Sequence, residues 1–192
     1  MATVTFTSDA SKNGCSAQAE TRTSPLYFED LEPGQSWTSP SRPISLEDVR
    51  SFSELTGDFD PLHSGDDSEE SEAMALSSPF GRPVAHGLLG LSVLAGLSTE
   101  YPRAATLALV GVTDWQFENP IFFGEIVHVV TEVETVAPHG RRAGRITWLR
   151  KLISSDGRLL QQGRFITLVA SKRRKPASQS NDGKHVPPRQ PR

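Results

Sequence analysis

The chain has 192 residues, 36% of them hydrophobic and 22% charged, with a formal net charge of −3. That suits one domain with a real core. No run nears the ~18 consecutive apolar residues of a membrane span, and the single cysteine, Cys15, excludes an internal disulfide or a thiolate metal cluster.

Residues 1–25 form a polar leader without the apolar stretch of a secretory signal or the Arg-rich pattern of a transit peptide. A disordered leader and a cytoplasmic protein are the expectations. The foldable region runs over 26–170. Ser45 followed by Asp48 reads as a capping box, and Leu46, Val49, Phe52 and Leu55 then recur at helical spacing up to Gly57, a C-cap glycine. This predicts a helix over 45–56 with one buried face. Acids followed by Ala73, Met74 and Leu76 predict a short second helix over 66–76. A Pro/Gly-rich loop, 78–87, leads into residues 88–97, LLGLSVLAGL, which are apolar nearly all round and predict a helix buried on most sides.

After Pro102 the period changes to two. Strands are predicted over 107–117, 127–135, 146–152 and 159–169, with hairpin turns at 137–140 (APHG) and 154–157 (SSDG). Helices followed by a run of antiparallel strands make an α+β layout, with the apolar helix packed on the sheet. Residues 171–192 hold Lys172, Arg173, Arg174, Lys175, Lys184, Arg189 and Arg192 against one acid, Asp182, with Pro and Ser and almost nothing apolar. They predict a disordered basic tail. The rest of the chain is correspondingly acidic, which argues against a nucleic-acid-binding domain.

Asp58, Asp60 and His63 follow the first helix directly, with Pro61 restricting the turn between them. A carboxylate and an imidazole held in one tight turn can share a water, one removing its proton while the other orients it. Taken alone the pattern also fits a solvated acidic turn. Gly87, preceded by His86, opens the apolar helix. Unpaired N–H groups and the helix dipole there favour an oxyanion, and a glycine permits close approach. A glycine needed only for loop geometry fits equally well. His128, His139 and His185 have no chemical companions in the sequence. His63 with Asp58 and Asp60 could hold one ion, but no second histidine at helical spacing supports a metal site, so none is expected. No G-x-S-x-G, Walker or dinucleotide-binding glycine pattern occurs.

Three stretches together, TGDFDPLH at 56–63, SPFGRPVAHGLLGLSVLAG at 78–96 and FENPIFFGE at 117–125, resemble the MaoC-like (R)-specific enoyl-CoA hydratases. The family motifs read roughly G-D-x-N-P-[LIV]-H, F-G-x-P-[IV]-A-H-G and F-x-x-P-[VI]-x-x-G-[DE]. The resemblance covers residues 26–170. It implies a hot-dog fold, an antiparallel sheet wrapped around a central helix, in a homodimer or a hot-dog heterodimer. It implies reversible syn hydration of trans-2-enoyl thioesters to (R)-3-hydroxyacyl thioesters. It implies Asp58 and His63 as catalytic residues, Gly87 as the amide that binds the thioester carbonyl, and Asp60, Pro61 and His86 as supporting members of the motifs. No metal or redox cofactor is implied. CoA or phosphopantetheine enters as part of an acyl-CoA or acyl-carrier substrate, and neither membrane nor nucleic acid is a partner.

Two departures stand out. Asp60 replaces the family Asn, which can donate a hydrogen bond where ionised Asp only accepts. Gly65 stands where the family often has an acid. Two other readings therefore stay open: a non-catalytic hot-dog subunit that binds an acyl thioester or supports a partner, and an acyl-CoA thioesterase.

Overall fold

The computed structural model describes residues 24–65, 68–69, 73 and 76–172. The leader expected over 1–25 and the tail expected over 171–192 lie outside the described residues, apart from their innermost positions. The helix expected over 66–76 lies largely outside them too. Strands β1 (Ser36–Thr38) and β2 (Arg42–Ile44) precede helix α1 (Leu46–Thr56) and a 3-10 turn, Pro61–His63. Helix α2 (Gly87–Leu97) is followed by β3 (Thr106–Phe117), β4 (Glu125–His139), β5 (Ala143–Ser154) and β6 (Leu159–Ala170).

The strands form one antiparallel sheet in the order β1-β4-β5-β6-β3, with β2 also paired to β4. Strict alternation decides its inner face. Val127, Val129, Thr131 and Val133 of β4 are buried, as are Ile146, Trp148 and Leu152 of β5 and Gln161, Phe165, Thr167 and Val169 of β6. Leu89, Val93 and Leu94 of α2 and Val49 of α1 join this layer in one core. The α+β layout is the one expected. Among the described residues no helix is long and apolar enough to cross a membrane.

The capping box forms as read. Ser45 Oγ accepts from Asp48 N at 3.1 Å, and Ser45 N donates to Asp48 Oδ2 at 2.8 Å. Arg42 clamps the same carboxylate with two 2.7 Å contacts.

Two expectations need correction. Leu55 does not share the buried face of α1. It is 81% exposed, because at ~100° per residue it lies across the helix from Val49, and Ser53 takes the inner position. Helix α2 is buried on most sides, as expected, and open along a single stripe. Leu88 is 60% exposed, and Ser92 and Gly96 share its open face. The first hairpin turn lies at 140–142, not 137–140. Pro138 pairs with Gly144 inside the ladder, and the left-handed residue that reverses the chain is Gly140, at φ 67°. Strands β1 and β2 carried no signal, because three residues are too few to show a period.

The middle of α2 carries the packing between helix and sheet. Leu94 is fully buried. Leu94→Ala is expected to lower unfolding free energy by about 3 kcal/mol, the usual range for a core leucine. Urea denaturation checks this, and a loss under about 1 kcal/mol would contradict the packing described.

Candidate active site

Helix α1 ends at Gly57, whose left-handed φ of 78° turns the chain out while its N–H still reaches Ser53 O at 2.8 Å. Asp58 therefore leaves the helix at a fixed angle. Asp60 then caps the next turn. Its Oδ1 accepts from Leu62 N at 2.8 Å, Pro61 occupies the first position, and His63 closes the turn through its N–H to Asp60 O at 2.8 Å. Asp60 N also donates to Asp58 Oδ1 at 3.3 Å. Each of these bonds asks the Asp60 side chain only to accept. An aspartate performs that task as well as the family asparagine.

The loop before α2 fixes the imidazole. Val84 N donates to Leu62 O at 3.1 Å, and Val84 O lies 2.7 Å from His63 Nδ1. A carbonyl can only accept, so Nδ1 carries a hydrogen, and in the neutral ring the lone pair is then on Nε2. His63 is thereby set up as a base.

His86 lies beneath it. The two rings stack with centroids 3.9 Å apart and planes 32° apart, and Phe52 closes the other side at 5.1 Å. His86 is only 3% exposed. Its Nε2 is 3.2 Å from the Asp58 carbonyl and 3.4 Å from Ser53 Oγ, so it holds the backbone of Asp58. The Asp58 carboxylate, 51% exposed, is further off at 3.8 Å. Burial holds His86 below the ordinary histidine value, against the hydrogen bond to the Asp58 carbonyl, which acts the other way. His86 is a neutral pillar under His63, not a second acid.

Asp58, His63 and His86 bring one donor atom each within 4.8 Å of one another, a mixed imidazole–carboxylate set that a divalent ion accepts.

Gly87 is the first residue of α2, and His86 offers no side-chain cap. The opening N–H groups of that helix have no intrahelical acceptor. Phe117 covers Gly87 so closely that an added Cβ would lie 2.9 Å from its ring. On the other side Gln161 Nε2 donates to Gly87 O at 2.9 Å, fixing the peptide. A cleft of about 260 Å³ passes Gly87, Phe117, Ile121 and Gln161. A second, of about 310 Å³, lies between α1 and the capped turn, beside Arg50, Glu54, Phe59 and Asp60. His63 lines both.

All six residues singled out in the sequence, Asp58, Asp60, Pro61, His63, His86 and Gly87, thus meet at one corner of the fold. His128 and His139 lie on β4, apart from both clefts, and His185 is outside the described residues. At Gly65 a side chain would collide with Leu46, so the position that often holds an acid is closed here by packing. Val84, Phe117 and Gln161 were not foreseen. Gln161 is 74 positions from Gly87, and no local signal joins them.

A family model described as "MaoC like domain" matches residues 30–148. The 3-hydroxybutyryl-CoA dehydratase of Methylorubrum extorquens is 37% identical over 119 residues, 62% of this chain and 70% of that protein. The (R)-specific enoyl-CoA hydratase of Aeromonas caviae is 32% identical over 113 residues, 58% of this chain and 76% of that protein. A solved (R)-hydratase structure from A. caviae aligns with a TM-score of 0.56 at 25% identity, covering 72% of this chain and 97% of that one. A Mycobacterium tuberculosis protein described as a double hotdog fold aligns with a TM-score of 0.65 at 23% identity, and shows the fold alone. It is covered over 52% of its length, against 85% of this chain.

Two outcomes follow from the geometry. Asp60→Asn keeps the cap and should leave the unfolding free energy unchanged, whereas Asp60→Ala should lower it by about 1 kcal/mol in urea denaturation. Equal losses in both would mean that the charge, and not the acceptor, matters. The lowered value of His86 also has a sign. The unfolded chain binds a proton near pH 6.5 that buried His86 refuses, so stability must fall as pH drops below about 6.5. Urea titrations between pH 7.5 and 5 should show that slope, and His86→Gln should flatten it.

Proposed function

The chain belongs to the MaoC-like domain family, and we propose that it hydrates trans-2-enoyl thioesters to (R)-3-hydroxyacyl thioesters and catalyses the reverse dehydration. The observation that carries the reading is a free His63 Nε2 lining the same cleft as the first amide of α2.

In the forward direction the thioester carbonyl accepts from the Gly87 N–H at the positive end of α2. His63 Nε2 removes a proton from a water oriented by Asp58, and the water oxygen bonds to C3 as the C2=C3 pair shifts toward the carbonyl. The enolate-like oxygen is held at Gly87 until the His63 imidazolium gives the water's proton to C2 on the same face, which restores the neutral base. Adding water changes no net oxidation state, so no redox cofactor enters. CoA or phosphopantetheine arrives with the substrate, and both present the same thioester arm. A reducing cytoplasmic setting fits a chain with the lone cysteine Cys15.

A paired assembly, homodimer or hot-dog heterodimer, is part of this proposal. Strand β3 is a sheet edge, and Leu107, Leu109, Val112 and Phe117 on it are exposed, as is Leu88 on the open face of α2. An unpaired edge beside exposed apolar side chains is a surface that a second hot dog would cover. That the chain spans 52% of a double-hotdog protein supports the same view.

The test is substitution at the two side chains assigned to the water. Asp58→Asn and His63→Ala should each reduce enoyl-CoA hydration by at least about a hundredfold, in line with removal of a general acid–base. Both are exposed or half-buried and should leave the circular dichroism spectrum unchanged. Full turnover in either folded variant would remove that residue from the mechanism.

A further inference from the structure

His63 lines two clefts, and their other walls differ in chemistry. The cleft beside α1 is bordered by Arg50, Glu54, Asp60 and Ser64. The cleft that passes Gly87 is walled by Leu62, Phe80, Val84, Phe117 and Ile121. An alkyl chain gains by burial against apolar walls, whereas a pantetheine arm carries amides that need polar partners. The Gly87 cleft therefore suits the acyl end of a thioester, and the polar cleft suits the arm.

Gln161 also lines the Gly87 cleft, and it is only 1% exposed. Its nitrogen is committed to Gly87 O, while its Oε1 is buried with no hydrogen-bond partner among the described residues. A buried acceptor in that state is costly and uncommon. The contacts at Gly90 show what this side chain fills. A Cβ added there would lie 2.3 Å from Gln161 Nε2 and 2.5 Å from Ile121 Cδ1. These two side chains therefore close the space against α2, three residues or about 4.5 Å along the helix from the Gly87 amide. Both are tied in place. Gln161 is held by its bond to Gly87 O, and the Ile121 carbonyl accepts from Ala85 N at 2.8 Å.

We propose that Gln161 and Ile121 form the floor of the acyl cleft and restrict the protein to short-chain enoyl thioesters. This rests on the hydratase reading for the position of the thioester at Gly87. An extended chain advances about 1.2 Å per bond, so an acyl group of about four carbons running along α2 already reaches the floor. A longer alkyl chain meets two close-packed side chains, and in Gln161 Oε1 an acceptor that methylenes cannot satisfy. Gln161 and Ile121 are thus specificity-determining residues, and neither takes part in the movement of protons.

Butyryl-CoA and octanoyl-CoA differ only in chain length, and neither can be hydrated. In an open cleft each further methylene buried would raise affinity about fourfold. Calorimetric titration of the full-length protein is expected instead to show octanoyl-CoA binding no more than about threefold tighter than butyryl-CoA, and a larger gain would overturn the proposal. Gln161→Ala takes away part of the floor and should raise the octanoyl-to-butyryl affinity ratio about tenfold, the gain from one or two methylenes admitted. Any loosening of Gly87 in that variant falls on both thioesters and leaves the ratio alone. Ile121→Ala should raise the same ratio with the bond from Gln161 to Gly87 intact. An unchanged ratio in a folded Gln161→Ala, or in Ile121→Ala should the first variant not fold, would overturn the proposal. Because binding needs no turnover, failure of the unsubstituted protein to hydrate crotonyl-CoA would count against the hydratase reading alone, while failure to bind either saturated thioester would overturn both.

Discussion

A single hydrogen bond, from His63 Nδ1 to the carbonyl of Val84 at 2.7 Å, joins the two halves of the site. It links the turn after α1 to the loop before α2 across 21 positions of sequence. It also decides chemistry. With a hydrogen on Nδ1, the lone pair of the neutral ring is on Nε2, and His63 lines both clefts. Losing the carbonyl would free both the ring's orientation and its tautomer.

The rest of the corner serves that bond. The Asp60 cap sets the turn that carries His63, and neutral His86 fills the space beneath the ring while holding the Asp58 backbone. The next residue, Gly87, begins α2, so the amide proposed to meet the thioester carbonyl is one position from the ring that packs under His63. The sheet then locks α2 in depth, through Leu94 in the core and Gln161 on the Gly87 carbonyl. Packing and catalysis are linked here by adjacency in the chain. A shift of α2 along the sheet would move the Gly87 amide relative to His63.

Much of this was legible because the signals are local. A hydroxyl three residues before an acid caps α1, Gly57 ends it, and alternation marks four long strands. The motif residues come from two short stretches, so their meeting needed only the correct order of elements. What stayed hidden is non-local or set by space. Leu55 looked like core because helical spacing gives a stripe without saying which side is covered. The open stripe of α2 stayed hidden because an apolar surface reads alike whether it is covered or not. Asp60 looked like a misfit because identity, unlike geometry, does not say whether a side chain must donate or accept.

The most direct measurement is the product of the unsubstituted protein with crotonyl-CoA. Loss of the conjugated enoyl thioester absorbance is followed while free thiol is assayed in the same cuvette, and the product's configuration at C3 is read by chiral chromatography. A hydratase site built on His63 and the Gly87 amide predicts (R)-3-hydroxybutyryl-CoA with no thiol released. Release of free CoA would identify a thioesterase instead, and an unchanged enoyl absorbance with bound acyl-CoA would identify a binding subunit. Either would contradict the assignment.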